Sequence, residues 1–435
     1  MEIKAFAGYR FDPAVVGDVG KCIAPPYDVI DEKMLASLTA RSEYNIAKIT
    51  RPKASPNDDE HNNQYIRAGK QLKQWFDQGV LKKDRRDSVY AYVQDFDIAG
   101  AHLRRSGFIA LGKLEEFGSG VQPHEKTLDG PKADRLKLLR AKGANLGQIF
   151  LLYDDPEKVA DAMIAKAASR VALLDFVDDD GVRHRLYAID EPAEIARLTA
   201  MMAAQPTIIA DGHHRYEVAL QYSRESGKPS AKYRMMTFVN MRNEGLIILG
   251  THRLLVQMVG FAIGKMLASI GGSFEVTRNA FVSAGEKSTA RTKMHEQMAE
   301  AFRKGKNAFG LYAAGGAFYT LTLKDAAAMD EFAAMSKAAR SLDVNVLHKL
   351  ILDKHLGIGD KQLAGQSNLE YVKDFPHYID AAVAKVDAGQ AQALIWMNPT
   401  RIEQVRAVAA VGEKMPQKST FFYPKIFTGL VVNKL

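Results

Sequence analysis

The chain has 435 residues, 47% of them hydrophobic and 25% charged, with 59 Lys plus Arg against 51 Asp plus Glu and a net charge of +8. That length exceeds one small core and implies two or three domains, or one large domain with insertions. The mild positive balance suits anionic small substrates, and the lack of a basic helix or an aromatic-interleaved stripe counts against nucleic acid. The single cysteine, Cys22, excludes an intramolecular disulfide and any Cys-based metal cluster. Residues 1–8 lack a charged-then-apolar signal pattern, and no apolar run reaches transmembrane length. The expectation is a soluble cytoplasmic protein with no membrane partner, its oligomeric state open.

In chain order, Ile3 to Phe11 reads as a short strand and loop, and Pro25-Pro26-Tyr27-Asp28-Val29-Ile30 as a rigid turn. Asp31 caps a helix running to about Ala40. Tyr44 to Thr50 reads as a strand, and Asn57 to Glu60 open a helix through Trp75 that ends by Gly79. Val89–Phe96 and Phe108–Leu114 read as paired strands. The segment 122–135 is rich in charge and bounded by prolines; it is either solvated surface or a substrate loop, carrying His124, Glu125, Lys126 and Arg135. A helix begins at Leu136 and runs through Arg140, and Gln148–Tyr153 is a buried strand.

Pro156–Ser169 reads as an Ala-rich helix, Val171–Phe176 and Val182–Ile189 as a hairpin across Asp178-Asp179-Asp180-Gly181, and Pro192–Ala203 as a helix. Tyr233–Met241 and Leu246–Leu249 read as a pair of strands, with Thr251-His252-Arg253 directly after them. Beyond Val256 long helices are expected at 256–270, 289–303, 325–339 and 344–356, interrupted by a Phe309–Leu323 hairpin. Ala284–Thr289 reads as a weak linker. Leu394–Met397 is a strand and Arg401–Ala410 a helix. The last segment, Gly412 to Lys425, sets three lysines and three aromatics around two prolines, and either seats an anion or docks by its aromatics. The implied organisation is a mixed α/β domain over 1–255 and a helix-rich one over 256–435, whose last segment packs back on the first.

The chemistry concentrates in Thr207 to Leu220. A β-branched run ends in Ala210-Asp211-Gly212-His213-His214-Arg215, and an amphipathic run follows, the grammar of strand, tight turn and helix. Asp211 stands where an N-cap belongs, and Gly212 lets backbone approach a ligand closely. A helix starting here offers free N–H groups and its positive dipole end to an anion. Arg215 adds a fork of donors for phosphate or carboxylate, and His213 and His214 titrate near neutrality.

Together, Ala24-Pro25-Pro26-Tyr27-Asp28-Val29, Pro123-His124-Glu125-Lys126-Thr127, Asp134-Arg135, Ala210 through Tyr216, Thr251-His252-Arg253 and Met415 through Lys425 resemble the bacterial and archaeal family called domain of unknown function 1015. Over about fifteen residues the Asp-Gly-His-His-Arg corner is also similar to the phosphate-binding corner of the ParB/sulfiredoxin superfamily, which includes free-serine kinases. That second resemblance implies an α/β (mixed α+β) fold with a ParB/sulfiredoxin-like core, and phosphates cradled by Gly212, His214 and Arg215. It also sets aside sulfinic acid reduction, which needs a cysteine where His213 stands.

The expected function is a nucleotide-dependent phosphotransferase on a small hydroxylated metabolite, with free serine as the superfamily's example and Mg²⁺ with ATP or ADP as cofactor. His213, His214 and Asp211 are the catalytic candidates. Gly212, Arg215, His252, Arg253 and Lys418 are the phosphate-binding ones, with Lys425 a further lysine within reach. His124, Glu125, Lys126 and Arg135 would complete the site. The chain has no Gly-x-x-x-x-Gly-Lys loop, so a P-loop mechanism is out. The alternatives are a non-catalytic nucleotide-binding regulator and a metal-dependent hydrolase built on His213, His214, Asp211 and His252. Adjacent histidines at a helix start diverge, which counts against the last.

Overall fold

A computed structural model describes every residue except Leu128 and Gln366, so Leu128 of the charged segment lies outside the described residues. The contacts divide the chain into two units. The first comprises residues 1–123, 127–247 and 424–435, and the second residues 124–126 and 248–423.

The first unit is built on a nine-stranded mixed sheet. Its strands are β1 (Ile3–Lys4), β2 (Val89–Ile98), β3 (Ala101–Lys113), β4 (Val121–Pro123), β5 (Ile149–Tyr153), β6 (Leu174–Val177), β7 (Arg183–Ile189), β8 (Thr207–Asp211) and β9 (Tyr233–Asn240). They lie in the order β4-β8-β5-β9-β3-β2-β7-β6, with β1 added to β3. β4 runs parallel to β8 and β5 parallel to β9, while the other pairs are antiparallel. β5 is buried along its whole length, which suits a central position with both faces covered. Its Ile149, Leu151 and Tyr153 join Phe108, Ile209, Tyr216 and Phe238 in the principal core.

Helices α1 (Glu32–Arg41), α2 (Gln64–Asp77), α3 (Asp129–Lys142), α4 (Val159–Ala168), α5 (Pro192–Ala203) and α6 (His213–Ser226) surround this sheet in sequence. Asp31 caps α1 by accepting from Met34 N at 2.7 Å, as its position implied. α2 starts later than expected because Asn63, accepting from Tyr65 N and Ile66 N, is its cap. The expected strand at 44–50 is instead a turn leading into a short helix, Ala47–Thr50. Asn45 causes this: its side chain accepts from Ala47 N and donates to Lys21 O, which bends the backbone out of an extended path.

α3 is the correction that matters most. The segment expected to stay a loop up to Leu136 is already helical from Asp129, with Asp129 and Pro131 in its first turn. Arg135 therefore stands on a helix and not in a substrate loop. Leu136 and Leu139 of α3 pack against Val218 and Tyr222 of α6.

The second unit is expected to be helix-rich and holds a six-stranded antiparallel sheet. Its strands are β10 (Thr251–Leu255), β11 (Phe274–Ala280), β12 (Ala308–Tyr312), β13 (Ala317–Leu323), β14 (Leu369–Lys373) and β15 (Ala393–Met397), in the order β11-β13-β12-β15-β10-β14. Helices α7 (Ile263–Ile270), α8 (Ala284–Arg303), α9 (Pro376–Asp387) and α10 (Ile402–Ala410) accompany them. The boundary falls before residue 255 because Thr251–Leu255 is hydrogen-bonded between β14 and β15. Ile247–Leu249 pairs with Phe421–Tyr423 and not with β9.

The helix expected from Val256 starts only at Ile263, after Gly260 turns the chain at φ +73°. The expected linker at 284–289 lies inside α8, where Ser283 and Glu286 form a capping box. The expected 325–339 helix is two short pieces, Ala326–Phe332 and Lys337–Arg340, and the 344–356 helix carries a π-helical segment at His348–Asp353. Among the described residues no helix is long and apolar enough to cross a membrane.

Residues 424–435 are stitched into the first unit. Tyr9 and Val432 exchange two 2.8 Å backbone hydrogen bonds, and Thr428 N donates to Ala24 O at 2.7 Å. Buried Arg105 donates to Pro424 O, and Gln94 donates to Lys425 O at 3.0 Å. Replacing Arg105 with Leu strands the carbonyl of Pro424 and the amide oxygen of Gln94, to which Arg105 also donates. The expected loss, read by urea denaturation, is about 3 kcal/mol of stability. A loss under about 0.5 kcal/mol would show that this anchor is dispensable.

Candidate functional site

The strand-to-helix corner forms as the sequence implies, with one change of role. β8 ends at Asp211, and the residue capping α6 is Gly212, at φ +99°. Asp211 is therefore the last strand residue and not the cap. Glycine is needed here for two reasons. The positive φ is one that other residues adopt only under strain, and a Cβ would stand 3.0 Å from Cζ and Nε of Arg215. The close approach that Gly212 permits is that of the chain's own guanidinium, which folds back over the turn.

Arg215 is held there from two sides. Its Nη1 donates to Gln148 O, and its Nη2 stands 3.5 Å from Asp211 Oδ1. Asp211 Oδ2 in turn accepts from Lys425 Nζ at 3.3 Å. Asp211 is thus shared by two cations and acts as a brace. His213 is buried and His214 half-buried at the start of α6.

Beside this corner lies a small, partly enclosed cavity. Its charged lining comes from three elements: Arg135 and Lys142 of α3, Arg215 of α6 and Arg234 of β9. Arg135 and Lys142 are seven residues apart, two helical turns, and so share a face. Tyr27, Thr50, Gly147 and Thr428 complete the polar rim, and no lining residue is a carboxylate.

The four cations differ in how they are balanced. Arg135 pairs with Asp134 (Nε to Oδ2 at 2.6 Å), donates to Thr50 O at 2.6 Å and stacks 4.2 Å from the Tyr27 ring centre. Lys142 and Arg234 have no carboxylate partner among the described residues. Arg234 is buried; its Nη2 donates to Gly147 O at 2.9 Å, and its Nε and Nη1 are buried without a hydrogen-bond partner. Burial, then repulsion by Arg215, pushes the Arg234 guanidinium down to about 9, still charged at neutral pH. Burial, then Arg234, Arg135 and Arg215, push the Lys142 amine well below the usual lysine value. Burial drives the Tyr27 phenol up to about 12, so it stays a neutral donor.

Of the residues picked from sequence, Asp211, Gly212, His213, His214, Arg215, Arg135 and Lys425 belong to the first unit, and Arg135 and Arg215 line the cavity. The remaining picks belong to the second unit, where they form a framework of their own. His124 Nε2 stands 2.9 Å from Thr420 Oγ1, and Glu125 Oε1 accepts from Thr420 N and Oγ1 at 3.1 Å. Lys126 N donates to Met415 O at 3.2 Å. His252 Nδ1 accepts from Met397 N at 3.2 Å, and its Nε2 faces Asp374. Arg253, fully buried, stacks on Tyr371, and its Nη2 contacts the backbone oxygen of Lys418 at 3.4 Å. The side chain of Lys418 is exposed.

Sequence reasoning missed Lys142 and Arg234. Arg234 left a signal, a lone cation in the apolar strand Tyr-Arg-Met-Met-Thr-Phe-Val. Lys142 left none, since a lysine in a helix's last turn ordinarily just complements the dipole. Among the described residues no group of three or more His, Cys, Asp or Glu side chains is placed to hold a metal.

A mixed α/β protein with a polycationic pocket is thereby defined. The chain belongs to the family described as Protein of unknown function (DUF1015), whose profile matches residues 3–345. A search of curated proteins found no match. Similar solved structures include a conserved hypothetical protein from Pyrococcus furiosus, at 14% identity and a TM-score of 0.35 over 73% of this chain and 92% of that one. They include free serine kinase in complex with AMP, at 11% identity and 0.34 over 72% and 86%. SbnI with a C-terminal truncation, from Staphylococcus aureus, follows at 10% identity and 0.34 over 75% and 87%.

Two outcomes are expected of this geometry. Gly212→Ala costs about 1–3 kcal/mol of stability by denaturant titration and weakens sulfate binding, because the new methyl displaces the Arg215 guanidinium. The depressed Lys142 amine gives the second. An anion favours the protonated amine, so binding takes up a proton and affinity rises as pH falls. Sulfate, which does not titrate here, is expected to bind more tightly as pH falls, until Lys142 is protonated in the free pocket. Lys142→Met flattens that slope in calorimetry, and an unchanged slope would contradict the assignment.

Proposed function

We propose that the protein is a nucleotide-dependent phosphotransferase acting on a small hydroxylated metabolite, with ATP or ADP as donor. The observation that carries this is the convergence of Arg135, Lys142, Arg215 and Arg234 on one cavity with no lining carboxylate, beside a glycine-opened helix start. Phosphoryl transfer requires charge neutralised on the phosphoryl oxygens and a positioned hydroxyl, which such a lining supplies.

In this reading the donor's phosphates lie in the cavity. Arg215, braced by Asp211 and Lys425, meets the transferred phosphoryl group. The acceptor hydroxyl oxygen bonds to the donor's terminal phosphorus as the bridging P–O bond breaks. The hydroxyl proton passes to the imidazole of His213 or His214, and the nucleotide leaves shorter by one phosphate. Mg²⁺, if it takes part, supplies further charge neutralisation on the phosphates. The lining does not fit it as a resident ion, since four lining residues are cations and Asp211 is engaged by Lys425 and Arg215. A non-catalytic nucleotide-binding regulator would use the same lining without a bound acceptor.

The test is incubation with ATP or ADP, Mg²⁺ and a panel of hydroxylated amino acids including free serine, with phosphorylated product read by ³¹P NMR. Product is expected from at least one acceptor, falling on the order of 100-fold in kcat/KM for Arg215→Ala. Nucleotide binding without product from any acceptor would favour the regulator. Unchanged affinity of Arg215→Ala for every phosphorylated ligand would overturn both readings.

A further inference from the structure

A single phosphate in the cavity is served by Arg215. The cavity holds more positive charge than that. The charge of Arg215 is shared with Asp211, and that of Arg135 with Asp134. Lys142 and Arg234, from α3 and β9, are left over, and both border the same space.

Arg234 is the telling residue. A guanidinium buried in a sheet ordinarily meets a carboxylate or several carbonyls. This one meets a single carbonyl, Gly147 O, and keeps Nε and Nη1 buried without a partner. Gly147 and Thr428 line the cavity with it, and neither brings a negative charge. A structural role as a brace for the Gly147 carbonyl would account for one nitrogen and would not call for Lys142 beside it. A second anionic group accounts for both.

We infer that Lys142 and Arg234 form a subsite for a second, linked phosphate, so that the pocket selects pyrophosphate-bearing ligands over single phosphates and carboxylates. This rests on the corner being a phosphate site. The first phosphate lies against Arg215, and the second against Lys142 and Arg234, with Arg135 and Tyr27 also lining the cavity. Selection follows because only a linked pair of phosphates engages both cation sets at once, adding charge-assisted hydrogen bonds without a second association step.

The experiment is calorimetric titration of the full chain with inorganic pyrophosphate, orthophosphate, acetate, ATP and ADP, near neutral pH and at fixed ionic strength. Pyrophosphate is expected to bind on the order of 100-fold more tightly than orthophosphate. Lys142→Met and Arg234→Met are each expected to lower the ratio of pyrophosphate to orthophosphate affinity about tenfold or more. Should Arg234→Met fail to fold, Lys142→Met, at the end of a helix, decides the question. Equal affinity for the two phosphates, or an unchanged ratio in Lys142→Met, overturns this inference and leaves the phosphotransferase reading standing. Pyrophosphate binding with no binding of ATP or ADP overturns the nucleotide reading and leaves the subsite. No binding of any anion overturns both.

Discussion

Like charges held together are the constraint on which the site depends. Burial, and after it the neighbouring cations, lower both the Lys142 amine and the Arg234 guanidinium from their usual values. A whole domain has only about 5–15 kcal/mol of net stability. The first unit nevertheless gathers Arg135, Lys142, Arg215 and Arg234 around one cavity and supplies carboxylates, Asp134 and Asp211, to only two of them. Such an arrangement is a cost in the empty protein and a source of affinity when an anion enters. Strain of this kind concentrates at functional sites, because nothing in folding alone rewards it.

The sheet explains how these groups meet. β8 and β9 both flank β5, so α6, leaving the end of β8, and Arg234, at the start of β9, are brought to one side of the unit by a shared neighbour. α3 lies on α6 through Leu136 and Leu139, and the same helix face carries Arg135 and Lys142. The tail adds Lys425 through carbonyls fixed by Arg105 and Gln94, and Lys425 holds the Asp211 carboxylate that steadies Arg215.

Much of this was legible in the residues, and the rest was hidden for identifiable reasons. The β8–Gly212–α6 corner is read directly from Ile-Ile-Ala-Asp-Gly-His-His-Arg, because a β-branched run, a glycine and an amphipathic run leave few alternatives. What Gly212 is for was not legible, since only coordinates show that it makes room for Arg215. The start of α3 was obscured by its charges: Asp-Gly-Pro-Lys-Ala-Asp-Arg reads as loop, and the helix shows only once Leu136 and Leu139 have α6 to pack on. The strands Phe274–Ala280 and Leu369–Lys373 carry weak apolar alternation and owe their state to pairing with distant partners. For the same reason the convergence of Arg234 with Lys142, 92 positions earlier in the sequence, has no local signature.

The cavity walled by α3, α6 and β9 is proposed as a seat for linked phosphates. A crystal structure of the protein grown with ADP tests it most directly. Phosphate oxygens are expected within hydrogen-bonding distance of Arg215 and Arg234, with the Lys142 amine turned onto the same group. Nucleotide density elsewhere on the molecule, with this cavity filled only by water, would contradict it.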